Sequence, residues 1–152
     1  MSLTRSTRGS RHGGRAEWDT RRMDDRTNIA SGSPFEGSIG FSRAVRVGQR
    51  VLVSGTAPIW PDGSCPDDPA AQVRRCFEIV SEALAAAGTD LDAVVRTRMY
   101  LTDRADAAAV SAEHGRLFGQ VRPAATVVIV AGFLDPRWRV EVEAEAVVGP
   151  MP

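Results

Sequence analysis

From Val140 to Ala146 the chain alternates without a break: Val140, Val142, Ala144 and Ala146 are apolar, and Glu141, Glu143 and Glu145 sit between them. A period of two belongs to a β-strand, whose successive side chains point to opposite faces of a sheet. A helix would scatter these acids around its axis. The segment Arg137–Val148 therefore reads as a long final strand with one apolar face and one face of three carboxylates. The apolar face needs a covering layer. The carboxylate face meets water, or, if enclosed, needs cationic partners. Arginines on other strands can supply them.

The covering layer is legible upstream. Val73, Phe77, Val80, Leu84 and Ala87 recur at helical spacing, with Asp67 or Asp68 as cap, Pro69 at the first turn and Gly88 just past the end. Cys76 falls beside this stripe as a small buried hydrophobe. A second helix follows Thr102-Asp103, with Ala107, Val110, His114 and Leu117 on one face and Gly119 ending it. Val94–Leu101 is a strand carrying Arg96, Arg98 and Tyr100 on one parity. Ala44–Val47 and Val51–Val53 flank Gly48-Gln49 and read as a hairpin with a type II′ turn. Thr126–Val130 is a continuous apolar run, expected to be a strand covered on both faces. The order is β-β-α-β-α-β-β, an α+β sandwich. Two helices cover only one face of such a sheet, so the other face calls for a second copy of the chain.

Composition excludes several chemistries. All 19 basic residues are arginine. Without lysine there is no Schiff-base chemistry and no phosphate-loop lysine. His12 and His114 are the only histidines, and Cys65 and Cys76 form no metal-binding pair, so no metal or other cofactor is expected. His114 lacks the flanking pattern of a triad and reads as a packed helix histidine.

Residues 1–30 read as an Arg-rich, disordered extension, with 31–152 as the domain. Residues 1–26 carry seven arginines against four acids, a net +3, and the remainder carries 12 against 15, a net −3. A net-acidic body predicts no nucleic-acid partner. No apolar run approaches the roughly 18 residues of a membrane span, and the N-terminal segment lacks the apolar stretch of a secretory signal. The expected location is the cytoplasm, with no membrane partner.

Six short motifs then stand in register: Val53-Ser54-Gly55-Thr56-Ala57-Pro58, Ala85-Ala86-Ala87-Gly88, Asp92 with Val94-Val95-Arg96-Thr97, Leu101-Thr102-Asp103, Arg122-Pro123-Ala124, and Val140-Glu141-Val142-Glu143-Ala144. In this order they resemble the YjgF/RidA family, also called the endoribonuclease L-PSP family, from Gly37 to Val148. The resemblance implies a chorismate-mutase-like fold and a homotrimeric barrel with a small-molecule cleft between subunits. It also implies hydrolysis of imines such as 2-iminopropanoate to a keto acid and ammonia. Glu141 then matches the carboxylate that positions water, and Gly55 the glycine beside the cleft. Phe41 stands for a family tyrosine and Ser111 for a helix asparagine. The family's P-A-R-[ST] motif reads Pro123-Ala124-Ala125-Thr126 here, and Val127 takes the place of a cleft cysteine found in some members. Ala125 therefore stands where the family has the arginine that clamps the substrate carboxylate. Arg98 and Arg43 are the two arginines within reach of such a cleft, and an ion pair with Glu141, Glu143 or Glu145 is the expected use of each. The implied outcomes are altered or lost deaminase activity, a non-catalytic binding trimer, or, against the charge balance, RNA cleavage.

Deleting residues 1–22 is expected to change neither melting temperature nor assembly. Light scattering of the full chain should give about three times 16.3 kDa, and the truncated chain should remain a trimer.

Overall fold

A computed structural model describes residues 25–149. Six strands form one sheet in the order β1-β2-β3-β6-β4-β5. They are β1 (Arg26–Ile29), β2 (Ala44–Val47), β3 (Arg50–Thr56), β4 (Val94–Leu101), β5 (Ala124–Ile129) and β6 (Val140–Val147). The helices are the short α1 (Phe35–Ile39), α2 (Pro69–Ala86) and α3 (Ala107–Phe118). From β2 onward this is the expected β-β-α-β-α-β-β. The additions are α1 and β1, and β1 starts the sheet inside the segment expected to be an extension. The rest of that extension, up to residue 24, lies outside the described residues.

Local rules set most boundaries. Gly48 has φ +58° at the two-residue turn that pairs Val47 with Arg50, as a type II′ hairpin requires. Asp68 accepts hydrogen bonds from the Ala70 and Ala71 amides and caps α2, with Pro69 in the first turn. Gly88, at φ +81°, closes that helix. Strand β1 has a single apolar residue facing the core, Ile29, and owes its form to the ladder with β2.

Helices α2 and α3 cover one face. Phe77, Val80 and Leu84 of α2 and Val110 and Phe118 of α3 pack on Val51, Met99, Leu101, Val140 and Val142. Each such fully buried side chain contributes roughly 1.5–3 kcal/mol of transfer free energy. Among the described residues the opposite face receives no helix. Strand β5 is the largest departure from expectation. Its six residues are all exposed at the sheet edge, parallel to β4, and not covered on both faces. Its apolar run has no cover among the described residues.

Buried polar groups fasten the layers. Gln72 is fully buried and satisfied: its Oε1 accepts from the Arg139 amide, and its Nε2 donates to the carbonyls of Pro66 and Arg137. Arg139 in turn donates to Asp106 and Asp67. Glu113 of α3 accepts from Arg74 of α2 at 2.8 Å and from Arg116 at 2.6 Å. Those bonds lower its carboxyl from about 4.5 to about 2.

A carboxyl lowered on folding stabilises the fold above its unfolded value, and that contribution is lost as pH falls toward the folded value. Stability should therefore drop between about pH 4.5 and pH 2 in part through Glu113. Glu113→Gln is expected to lower the melting temperature at pH 7 and to flatten the loss across that acid window, as read by thermal melts at several pH values.

Candidate functional site between strands β3 and β6

Glu141 sits at the second position of β6, opposite Tyr100 of β4. On its other side β3 departs from regular pairing between Val53 and Thr56. Gly55 lies inside that irregularity, where a glycine permits close approach. A Cβ placed on Gly55 would overlap Glu141 Oε1. The carboxylate therefore lies over the Gly55 backbone, in space that any larger residue would fill. Burial raises the Glu141 carboxyl, the neighbouring Glu143 raises it further, and Arg43 pulls it the other way. A carboxyl tuned upward in this manner holds and exchanges protons nearer neutrality than a free one.

Arg43 precedes β2. Its Nη1 donates to the Gly55 carbonyl at 3.1 Å and to Thr56 Oγ1 at 2.8 Å. Thr56 Oγ1 passes a hydrogen bond on to the Ser54 carbonyl at 2.8 Å. Arg43 thus braces the irregular turn of β3 that seats Glu141. Among the described residues no carboxylate pairs directly with it. Arg98 behaves differently. Its Nη1 lies 3.3 Å from Glu143 and 3.2 Å from Glu145. The expected ion pairing thus holds for Arg98 and fails for Arg43.

Three of the remaining expected positions form a second group. Ala125, Thr126 and Val127 lie on β5, in register with Thr97, Arg98 and Met99 of β4. Strand parity places Ala125 and Val127 on the helix side and Thr126 on the carboxylate side. Ser111 is exposed on α3, and Phe41 is half-buried in the loop before β2. Strand β4 separates β5 from β6, and Ala125 faces away from Glu141. One chain therefore assembles Gly55, Glu141 and Arg43, and carries the Ala125 group elsewhere.

Other reactive side chains are occupied by structure. His114 Nε2 lies 2.9 Å from Thr97 Oγ1, with its ring against Phe77 and Phe118. Burial lowers its affinity for a proton. Cys76 is buried, which pushes its thiol well up. Tyr100 was missed as a neighbour of Glu141; its place on one parity with Arg98, opposite the glutamate strand, was the available signal. No group of metal-ligating side chains occurs among the described residues, and no helix among them is long and apolar enough to cross a membrane.

Comparison with known proteins follows the same lines. The family model described as Endoribonuclease L-PSP matches residues 33–148. An uncharacterised protein of Streptomyces coelicolor is 43% identical over 119 residues, 78% of this chain and 89% of that one. The 2-iminobutanoate/2-iminopropanoate deaminase of Escherichia coli is 32% identical over 111 residues, 70% of this chain and 86% of that one. The crystal structure of Rv2704 from Mycobacterium tuberculosis, a member of the YjgF/YER057c/UK114 family, superposes with a TM-score of 0.75 at 42% identity. It covers 81% of this chain and 99% of that chain.

Gly55→Ala tests the central contact. The far end of a flexible glutamate can move aside, so the fold should survive with a melting temperature lower by no more than about 3 °C. The Glu141 side chain should swing out of its seat. Carboxyl NMR titration should then find its pKa moved down toward the ordinary value; an unmoved value would place the carboxylate elsewhere in the wild type.

Proposed function

The chain belongs to the endoribonuclease L-PSP family, also called YjgF/RidA, and from that membership and the geometry of Glu141 we propose that it works as a cytoplasmic homotrimer with small-metabolite clefts between subunits. The exposure of all of β5, and a half-buried glutamate face with no described helix over it, support the assembly, since both lack a cover among the described residues. Separation of the Gly55–Glu141 pair from the Ala125 group supports the clefts. The two halves of one site then come from adjacent subunits.

The reaction such a cleft serves in deaminases of the family is imine hydrolysis. Water adds to the imine carbon, the carbon–nitrogen bond breaks, and ammonia leaves a keto acid. Glu141 is suited to hold that water and to accept its proton. The substrate carboxylate needs a cation, and the observation that supports this reading is Ala125, which stands where the family's motif has its arginine. A methyl group makes no charge-assisted hydrogen bond. Arg98 offers no replacement while it pairs with Glu143 and Glu145. We therefore read the chain as a family member with altered or lost 2-iminopropanoate deaminase activity. A binding protein without catalysis is the second reading, supported by the same missing clamp. RNA cleavage draws no support from His114, which is packed between phenyl rings.

Semicarbazide trapping of 2-iminopropanoate measures the activity. The wild type should run at or near the uncatalysed rate, and Ala125→Arg should raise it by about tenfold or more, the factor expected from one charge-assisted contact. The gain is limited by Phe41 and Ser111, which also differ from the family's pattern. Strong wild-type turnover would overturn this reading.

A further inference from the structure

A second concave site lies on the helix side of Arg43. It is a cavity of about 460 Å³ between the Ser31–Phe35 loop, the end of β3 and the outer surface of α2. Its walls are mostly apolar, with Phe35, Ile59 and Ile79 prominent. Two arginines and one acid, Glu82, also line it. Arg75 is engaged: Nε donates to the Ile59 carbonyl at 2.8 Å, and Nη1 lies 3.0 Å from Glu78 and 3.8 Å from Glu82. Arg43 is not. Its Nη1 bonds inward, its Nε is buried without a partner, and its Nη2 has no partner among the described residues. Glu36 is the carboxylate nearest in sequence, and it accepts from the amide and hydroxyl of Ser31 at 2.7 Å each. Those bonds hold the Glu36 carboxylate on the loop, where it acts on Arg43 through space and makes no hydrogen bond to it. Glu141, the other acid that Arg43 influences, lies over the Gly55 backbone and makes no hydrogen bond to Arg43 among the described residues.

An apolar pocket with one unmatched guanidinium selects a particular chemistry. A polyanion would need more cations, and a neutral ligand would leave the guanidinium partly desolvated and unpaired. We propose that this cavity binds a small aliphatic monocarboxylate, its carboxylate on Arg43 and its chain against Phe35, Ile59 and Ile79. The site is distinct from the cleft that Glu141 would serve, and it stands or falls without turnover.

Pentanoate and its uncharged counterpart pentanamide are suitable probes, titrated onto the full chain by saturation-transfer NMR. Pentanoate should saturate, and pentanamide should bind about tenfold more weakly or worse, as loss of a charge-assisted bond requires. Arg43→Gln should weaken pentanoate by a similar factor. Because Arg43 also braces β3, Ile79→Glu is the second variant. It leaves Arg43 in place, sits on a helix surface and sets a negative charge against the ligand. It too should weaken pentanoate about tenfold or more, with unchanged circular dichroism. Equal binding of pentanamide, no saturation by pentanoate, or unchanged binding to Ile79→Glu would each overturn the proposal. Absent deaminase activity with intact pentanoate binding would count against the cleft alone.

Discussion

Strand β6 is hydrogen-bonded between β3 and β4, and its two faces ask for different surroundings. Val140, Val142, Ala144 and Ala146 receive α2, and the core forms there. Glu141, Glu143 and Glu145 project to the side without helices. Register decides what they meet. Arg98 stands opposite Glu143 and Arg96 opposite Glu145, so two of the three acids find cations on β4. Glu141 stands opposite Tyr100 and has no such partner there. One strand pattern thus fixes the helix layer, the charged ladder and the single carboxylate left over for chemistry.

That leftover carboxylate is costly to the fold. Burial raises its value on folding, so the unfolded chain ionises first and stability is lost as pH rises from about 4.5 through the raised native value. Gly55 adds backbone freedom in the unfolded state and offers nothing to pack. Neither choice helps stability, and together they make room for a buried acid at an irregular strand. Local choices that oppose stability and yet agree with each other mark sites better than any one residue does.

Elements governed by local rules were legible in the sequence. The Gly48-Gln49 hairpin, the Asp68–Gly88 limits of α2, the parity of β4 and the alternation of β6 each follow from a turn, a cap or a period. Strand β5 was legible as a strand, but its surroundings were not. An apolar run tells that something covers it and does not tell whether the cover belongs to the same chain. Strand β1 carries almost no apolar signal, and its pairing with β2 is what orders it. Within the site, Glu141 and Gly55 could be placed by motif, and their contact could not, because it depends on the irregular pairing between Val53 and Thr56.

The two arginines show the same limit at the scale of one side chain. By residue type and by proximity to the glutamate strand, Arg43 and Arg98 earn the same expectation. Arg98 lies within the ladder, between Thr126 and Glu143, and is neutralised by its neighbours. Arg43 lies one residue ahead of β2, which β3 separates from the β6 acids, and it meets Glu141 through space alone. Its inward hydrogen bonds go to a carbonyl and a hydroxyl, groups that position a guanidinium without cancelling its charge. The turn that seats Glu141 over Gly55 is therefore also the one that Arg43 holds through its hydrogen bonds. An acid raised by burial and a guanidinium with no carboxylate hydrogen-bonded to it thus meet at one distortion in the sheet.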